Sequence, residues 1–101
     1  MAEVYSESEV RSRLVALEGW ERSRDVIERQ YTFATFMAGI EFVNRLARAA
    51  DELDHHPDID IRYTRVKLAL TTHSAGGITD LDFQMASRAD LLADAGIDTD
   101  S

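Results

Sequence analysis

Cysteine is absent from the 101-residue chain, proline occurs once, at Pro57, and lysine once, at Lys67. Without cysteine there are no disulfides, no thiolate metal sites and no cysteine nucleophile. No apolar run approaches the roughly 20 residues of a membrane span. MAEVYSESEV also lacks the basic-then-apolar order of a secretory leader, so the expectation is a cytoplasmic domain without membrane contact. Positive charge is scarce: 11 Lys and Arg face 19 Asp and Glu, for a net −8. The scattered Arg11/Arg13 and Arg62/Arg65 form no cluster able to neutralise phosphates, so direct nucleic-acid binding is not expected. The HExxH and His-x-His chelates, the phosphate loop with its Lys, and GxSxG are all missing. An acidic, lysine-poor surface suits a salt-rich medium that screens self-repulsion, and a codon bias toward Arg gives the same pattern.

What remains is globular in balance, with 45% hydrophobic and 30% charged residues, and long enough for one domain. Residues 1–101 are taken as that single domain, with 95–101 as a frayed tail. Ser6 to Leu17 reads as a helix capped by Ser6 or Ser8, with Val10, Leu14 and Leu17 at helical spacing and Gly19 as its stop. Trp20 to Phe33 reads as a hairpin turning at Ser23-Arg24-Asp25. From Thr35, Phe36, Ile40, Val43, Ala47 and Ala50 recur on one helical face, widened by Met37, Leu46 and Leu53, as far as about His55. Pro57 then biases His56 out of the helix. Ile59, Ile61 and Tyr63 alternate with charged residues as a half-buried strand. Val66 to His73 alternates as another, after a break at Thr64-Arg65. Beyond Gly76-Gly77, Thr79 caps a last helix with Leu81, Met85, Arg88-Ala89 and Leu92 inward and Gly96 at its end. The order α-β-β-α-β-β-α predicts an α+β fold, an antiparallel four-stranded sheet with helices packed on one face.

All three histidines fall between positions 55 and 73, the natural place for proton chemistry near neutral pH. His55 and His56 are expected to close the central helix, where unpaired carbonyls favour imidazolium. Asp51, one turn earlier, is expected to orient the His55 ring. His73 is expected at a strand end beside the glycine turn, where backbone approaches a ligand closely, with Asp82 returning to hold its ring. Neighbouring helical residues diverge by about 100°, which disfavours a shared metal ion.

The stretch AADELDHHPDIDIRYTRVKLALTTHSAGGITDLD resembles the signature of the pterin-4a-carbinolamine dehydratases. That family carries an acidic residue four positions before His-His-Pro, a two-strand hairpin, Thr-His, a glycine turn and an Asp opening the final helix. LEGW and FMAGIEFVNRLARAA extend the likeness over about Glu7 to Ala93. The resemblance implies dehydration of 4a-hydroxytetrahydropterin to quinonoid dihydropterin, recycling the pterin of aromatic amino acid hydroxylases. It implies His55, His56, His73 and Asp82 as catalytic residues. It implies a substrate-binding set of Asp51, His55, His56, Pro57, Thr72, His73, Ser74 and Ala75, in which Thr72, Ser74 and Ala75 offer backbone groups to the pterin. No metal and no cofactor are implied, and the partners are the pterin and other copies of the chain in a homodimer or homotetramer. Two positions depart from the family: Asp51 stands where Glu is common, and Ile59 where Trp is frequent. The alternatives are a non-catalytic interaction module, since animal relatives resemble a dimerisation partner of a homeodomain activator, and pterin housekeeping of molybdopterin or folate type without a hydroxylase.

Overall fold

A computed structural model describes residues 3–98. Three helices and four strands follow in the expected order: α1 (Glu7–Leu14), β1 (Glu21–Ser23), β2 (Val26–Thr32), α2 (Phe36–Leu53), β3 (Asp58–Arg62), β4 (Arg65–Leu70) and α3 (Asp80–Asp98). The sheet is antiparallel throughout, in the order β1-β2-β4-β3. Register places Ile27, Arg29 and Tyr31 on the same face as Leu70, Leu68 and Val66. There the apolar ones meet Phe42 and Leu46 of α2 and Met85, Ala86 and Ala89 of α3 in one core. The opposite face carries Glu28, Gln30, Arg65 and Lys67 and is open to water. Among the described residues no helix is long and apolar enough to cross a membrane.

Local chemistry accounts for the element boundaries. Ser6 and Glu9 exchange side-chain and backbone hydrogen bonds of 3.2 and 3.1 Å, a capping box that starts α1. The β1–β2 turn uses Arg24 in a left-handed conformation (φ 57°), and Tyr63 (φ 52°) does the same between β3 and β4. That second turn therefore lies at Tyr63-Thr64, one residue earlier than expected. Helix α1 ends at Leu14 rather than Leu17. The Ala16 and Leu17 amides bond back to the carbonyls of Arg13 and Leu14, a tightened last turn. Helix α3 continues through Gly96 to Asp98. Glycine inside a helix costs only about 1 kcal/mol, and no proline follows to stop it. Of the expected tail, 99–101 lie outside the described residues.

The buried face of α2 differs from the expected stripe. Gly39, Phe42, Leu46, Ala49 and Ala50 face the core, whereas Phe36 and Met37 are 45% and 59% exposed and Ala47 faces water. Apolar residues cover more than half the circumference of this helix, so periodicity identifies the helix without choosing its inner side. On α3, Phe83, Met85, Ala86, Ala89 and Ala93 are buried, while Leu81, Arg88 and Leu92 are only partly so. β3 is an edge strand exposed along its whole length, although Ile59 and Ile61 share a face with Leu68 and Val66.

A polar knot, not anticipated from the sequence, ties α3 to the sheet. Asp90 accepts from the Trp20 indole at 3.1 and 3.2 Å, from Arg29 at 2.8 Å and from the Tyr31 hydroxyl. Arg29 also donates to the Glu18 carbonyl at 3.1 Å and lies over the Tyr31 ring. Gly19 (φ 89°) leaves room for it, since a Cβ there would stand 2.8 Å from the Arg29 Nε.

Burial, then donation to Asp90 and the charge of that carboxylate, pushes the Tyr31 hydroxyl well above its ordinary range; Arg29 opposes the shift. The folded chain thus keeps a proton that the unfolded chain releases above about pH 10. This contribution is intact below that pH and is lost as pH rises further. Unfolding free energy measured between about pH 8 and 11 should fall with pH in the wild type and fall less in Tyr31→Phe. Identical slopes would refute this role for Tyr31.

Candidate active site

Helix α2 ends before the histidines. Asp54 takes a left-handed conformation (φ 51°, ψ 44°), its amide bonds to the Asp51 carbonyl, and the His55 amide bonds to the Ala50 carbonyl at 3.0 Å. This is a Schellman ending, in which backbone amides satisfy the last carbonyls. The imidazoles are therefore not needed as caps and, contrary to expectation, do not close the helix. The turn also redirects the chain, so the i, i+4 relation of Asp51 to His55 no longer holds. Asp51 pairs instead with His56, Oδ1 to Nε2 at 2.9 Å, in an exposed contact.

His55 turns inward and is 8% exposed. Its Nε2 lies 2.5 Å from Oδ1 of Asp82, a carboxylate with 0% exposure. The other oxygen, Oδ2, accepts from the Thr72 hydroxyl at 2.9 Å and the Thr79 amide at 2.8 Å. The Thr72 and Thr79 hydroxyls are 2.7 Å apart, and the Leu81 amide donates to the Thr79 hydroxyl at 3.2 Å. Thr79 thus caps α3 through the Leu81 amide while Asp82 reaches back to the Thr79 amide, and that carboxylate is shared with His55. Asp82 was expected to serve His73. It bonds the His55 ring instead, and no hydrogen bond joins it to His73 among the described residues.

Strand β4 stops at Leu70, and Thr72 makes only an isolated bridge to Gly77, so the pleat alternation assumed for Thr72 and His73 does not extend to them. His73 sits exposed in the turn that follows, one residue from the Asp82 network. The Thr72 amide donates to Gly77, and the Thr72 carbonyl accepts from Ala75 and Gly76. The Thr72 amide and carbonyl and the Ala75 amide are thus bonded within the turn, while Ser74 is exposed and Pro57 and Ala75 are half-buried. Gly77 makes room for the N-terminal segment, since a Cβ there would stand 2.9 Å from Val4. The structure therefore joins His55, Asp82, Thr72 and Thr79 in one network and Asp51 with His56 in another. Thr79, read from sequence only as a cap, was missed as a member of the site; its TxxD spacing was the available clue. Among the described residues no three His, Asp or Glu side chains gather as a metal site.

Residues 3–92 match the family described as Pterin 4 alpha carbinolamine dehydratase. The chain belongs to that family. It is 49% identical over 89 residues to a Mycolicibacterium smegmatis protein named as a pterin-4-alpha-carbinolamine dehydratase, covering 88% of this chain and 95% of that one. A Thermomicrobium roseum protein with the same name is 50% identical over 84 residues, covering 83% and 90%. Among solved structures, a transcriptional coactivator/pterin dehydratase from Brucella melitensis superposes with a TM-score of 0.87 at 36% identity, over 90% of this chain and 99% of that one. A pterin dehydratase-like protein described as a RuBisCO assembly factor in the alpha-carboxysome shares the fold, with a TM-score of 0.64 at 23% identity over 75% of this chain and 90% of that one.

The two carboxylate–histidine contacts differ in burial and so in expected energetic weight. Asp82→Ala leaves buried donors without an acceptor and should cost about 3 kcal/mol or more in urea unfolding. Asp51→Ala, in an exposed pair, should cost about 1 kcal/mol or less. Equal costs would contradict the burial assignment.

Proposed function

We propose that this chain is a hydro-lyase that converts 4a-hydroxytetrahydropterin to quinonoid dihydropterin and water by histidine acid–base chemistry. The observation that carries the reading is the buried His55–Asp82 pair, in a chain that belongs to the family. The reaction breaks the C4a–O bond as an acid protonates the departing hydroxyl. A base takes the proton from N5, whose electrons complete the new C=N bond, so nothing is oxidised or reduced. Two imidazoles suffice. His55 and His73 are assigned the acid and base roles. His56, steadied by Asp51, holds the pterin, with Pro57 and the Ser74-Ala75 turn beside it. The reaction itself needs neither metal nor cofactor. The physiological role we infer is recycling, in the cytoplasm, of the pterin used by aromatic amino acid hydroxylases.

The exposed apolar stripe of α2, Phe36 and Met37 with the half-buried Ile40, favours self-association as a homodimer or homotetramer. Met37→Glu should lower the mass found by sedimentation equilibrium. A wild type already at the mass of one chain would remove this reading.

The catalytic reading is tested by the ultraviolet absorbance change on dehydration of synthetic 4a-hydroxytetrahydropterin. His55→Ala and His73→Ala should each lose on the order of 10²-fold or more in rate. Equal rates for wild type and both variants would leave only the interaction-module alternative.

A further inference from the structure

The hydrogen bonds around Asp82 have only one consistent direction. A carboxylate accepts and a hydroxyl has a single proton to give. The Thr72 hydroxyl spends its proton on Asp82 Oδ2, so in the 2.7 Å contact between the two threonines Thr79 must be the donor. The Thr79 oxygen in turn accepts from the Leu81 amide, and the Thr79 amide gives the second hydrogen bond to Oδ2. Oδ2 is then filled by two donors in the first turn of α3, where the helix end favours negative charge. The remaining oxygen, Oδ1, faces the His55 Nε2 at 2.5 Å and calls for a proton on that nitrogen. No side-chain nitrogen or oxygen among the described residues is both buried and unpaired. The His55 Nδ1 has no protein partner among them, so it is the ring atom that reaches solvent.

We propose that Thr72 and Thr79 are positioning residues that hold neutral His55 as its Nε2–H tautomer, so that Nδ1 is the atom that exchanges a proton with the substrate. The role of Nδ1 rests on the dehydratase reading above; the tautomer does not. Thr79 acts at one remove, by orienting the Thr72 hydroxyl and anchoring Oδ2. Thr72 therefore serves through its side chain.

The test is long-range ¹H–¹⁵N correlation on histidine-labelled full-length protein, above the pH at which the imidazoles become neutral, alongside steady-state kinetics. Wild-type His55 should show a protonated Nε2 and an unprotonated Nδ1. An Nδ1–H form would overturn the proposal whatever the activity. Thr72→Val should mix the two tautomers and lower kcat about tenfold while KM changes less than about twofold, as expected when a hydrogen bond to a charged group is lost. Thr72→Ser should restore both. Unchanged tautomer and kcat in Thr72→Val would refute the positioning role, and Thr79→Val supplies the same comparison should Thr72→Val fail to fold. An inactive wild type with His55 as Nε2–H would sink the dehydratase reading and leave the tautomer assignment standing.

Discussion

A carboxylate with no exposed surface is expensive to bury unless its lone pairs are filled, and Asp82 fills them from three separate segments. His55 comes from the turn after α2, Thr72 from the end of the hairpin, and Thr79 from the start of α3. None of these groups satisfies the carboxylate alone. Removing any of them leaves a buried polar atom short of a partner, so the three chain segments are held together as a set. The site's geometry is therefore part of the fold's own requirement for paired polar groups.

Asp90 repeats this logic further along the same helix, gathering Trp20, Arg29 and Tyr31. Most of the buried apolar residues of α3 are alanines, which let the helix approach the sheet closely but offer little area each. Directional ties at Asp82 and Asp90 supply the specificity that small side chains lack. The helix is thereby placed in both rotation and height, and with it the turn that carries His73.

Local signals explain how much was legible. The Ser6 cap, the Trp20–Phe33 hairpin, the Thr35 start of α2 and the Thr79 cap each depend on residues a few positions apart, and each appears where expected. Element ends were less legible. A left-handed Asp54 closes α2 immediately before His55, a place where sequence preference points to glycine. The pairing of carboxylates to histidines differs from expectation for the same reason: extrapolating helical spacing to His55 and strand alternation to His73 assumed elements that had already ended. The Asp90 knot was invisible, because its members are some 60 to 70 residues apart and carry no motif.

Spacing along the chain was enough to establish seven elements and an antiparallel α+β arrangement. Those properties depend on periodicity and on short-range turn chemistry, which are written in consecutive residues. Which face of α2 is inner, which carboxylate meets which imidazole, and which ring nitrogen points outward were decided only in three dimensions. Each is a choice among nearly equivalent local arrangements, settled by the need to pair every buried polar group across distant segments.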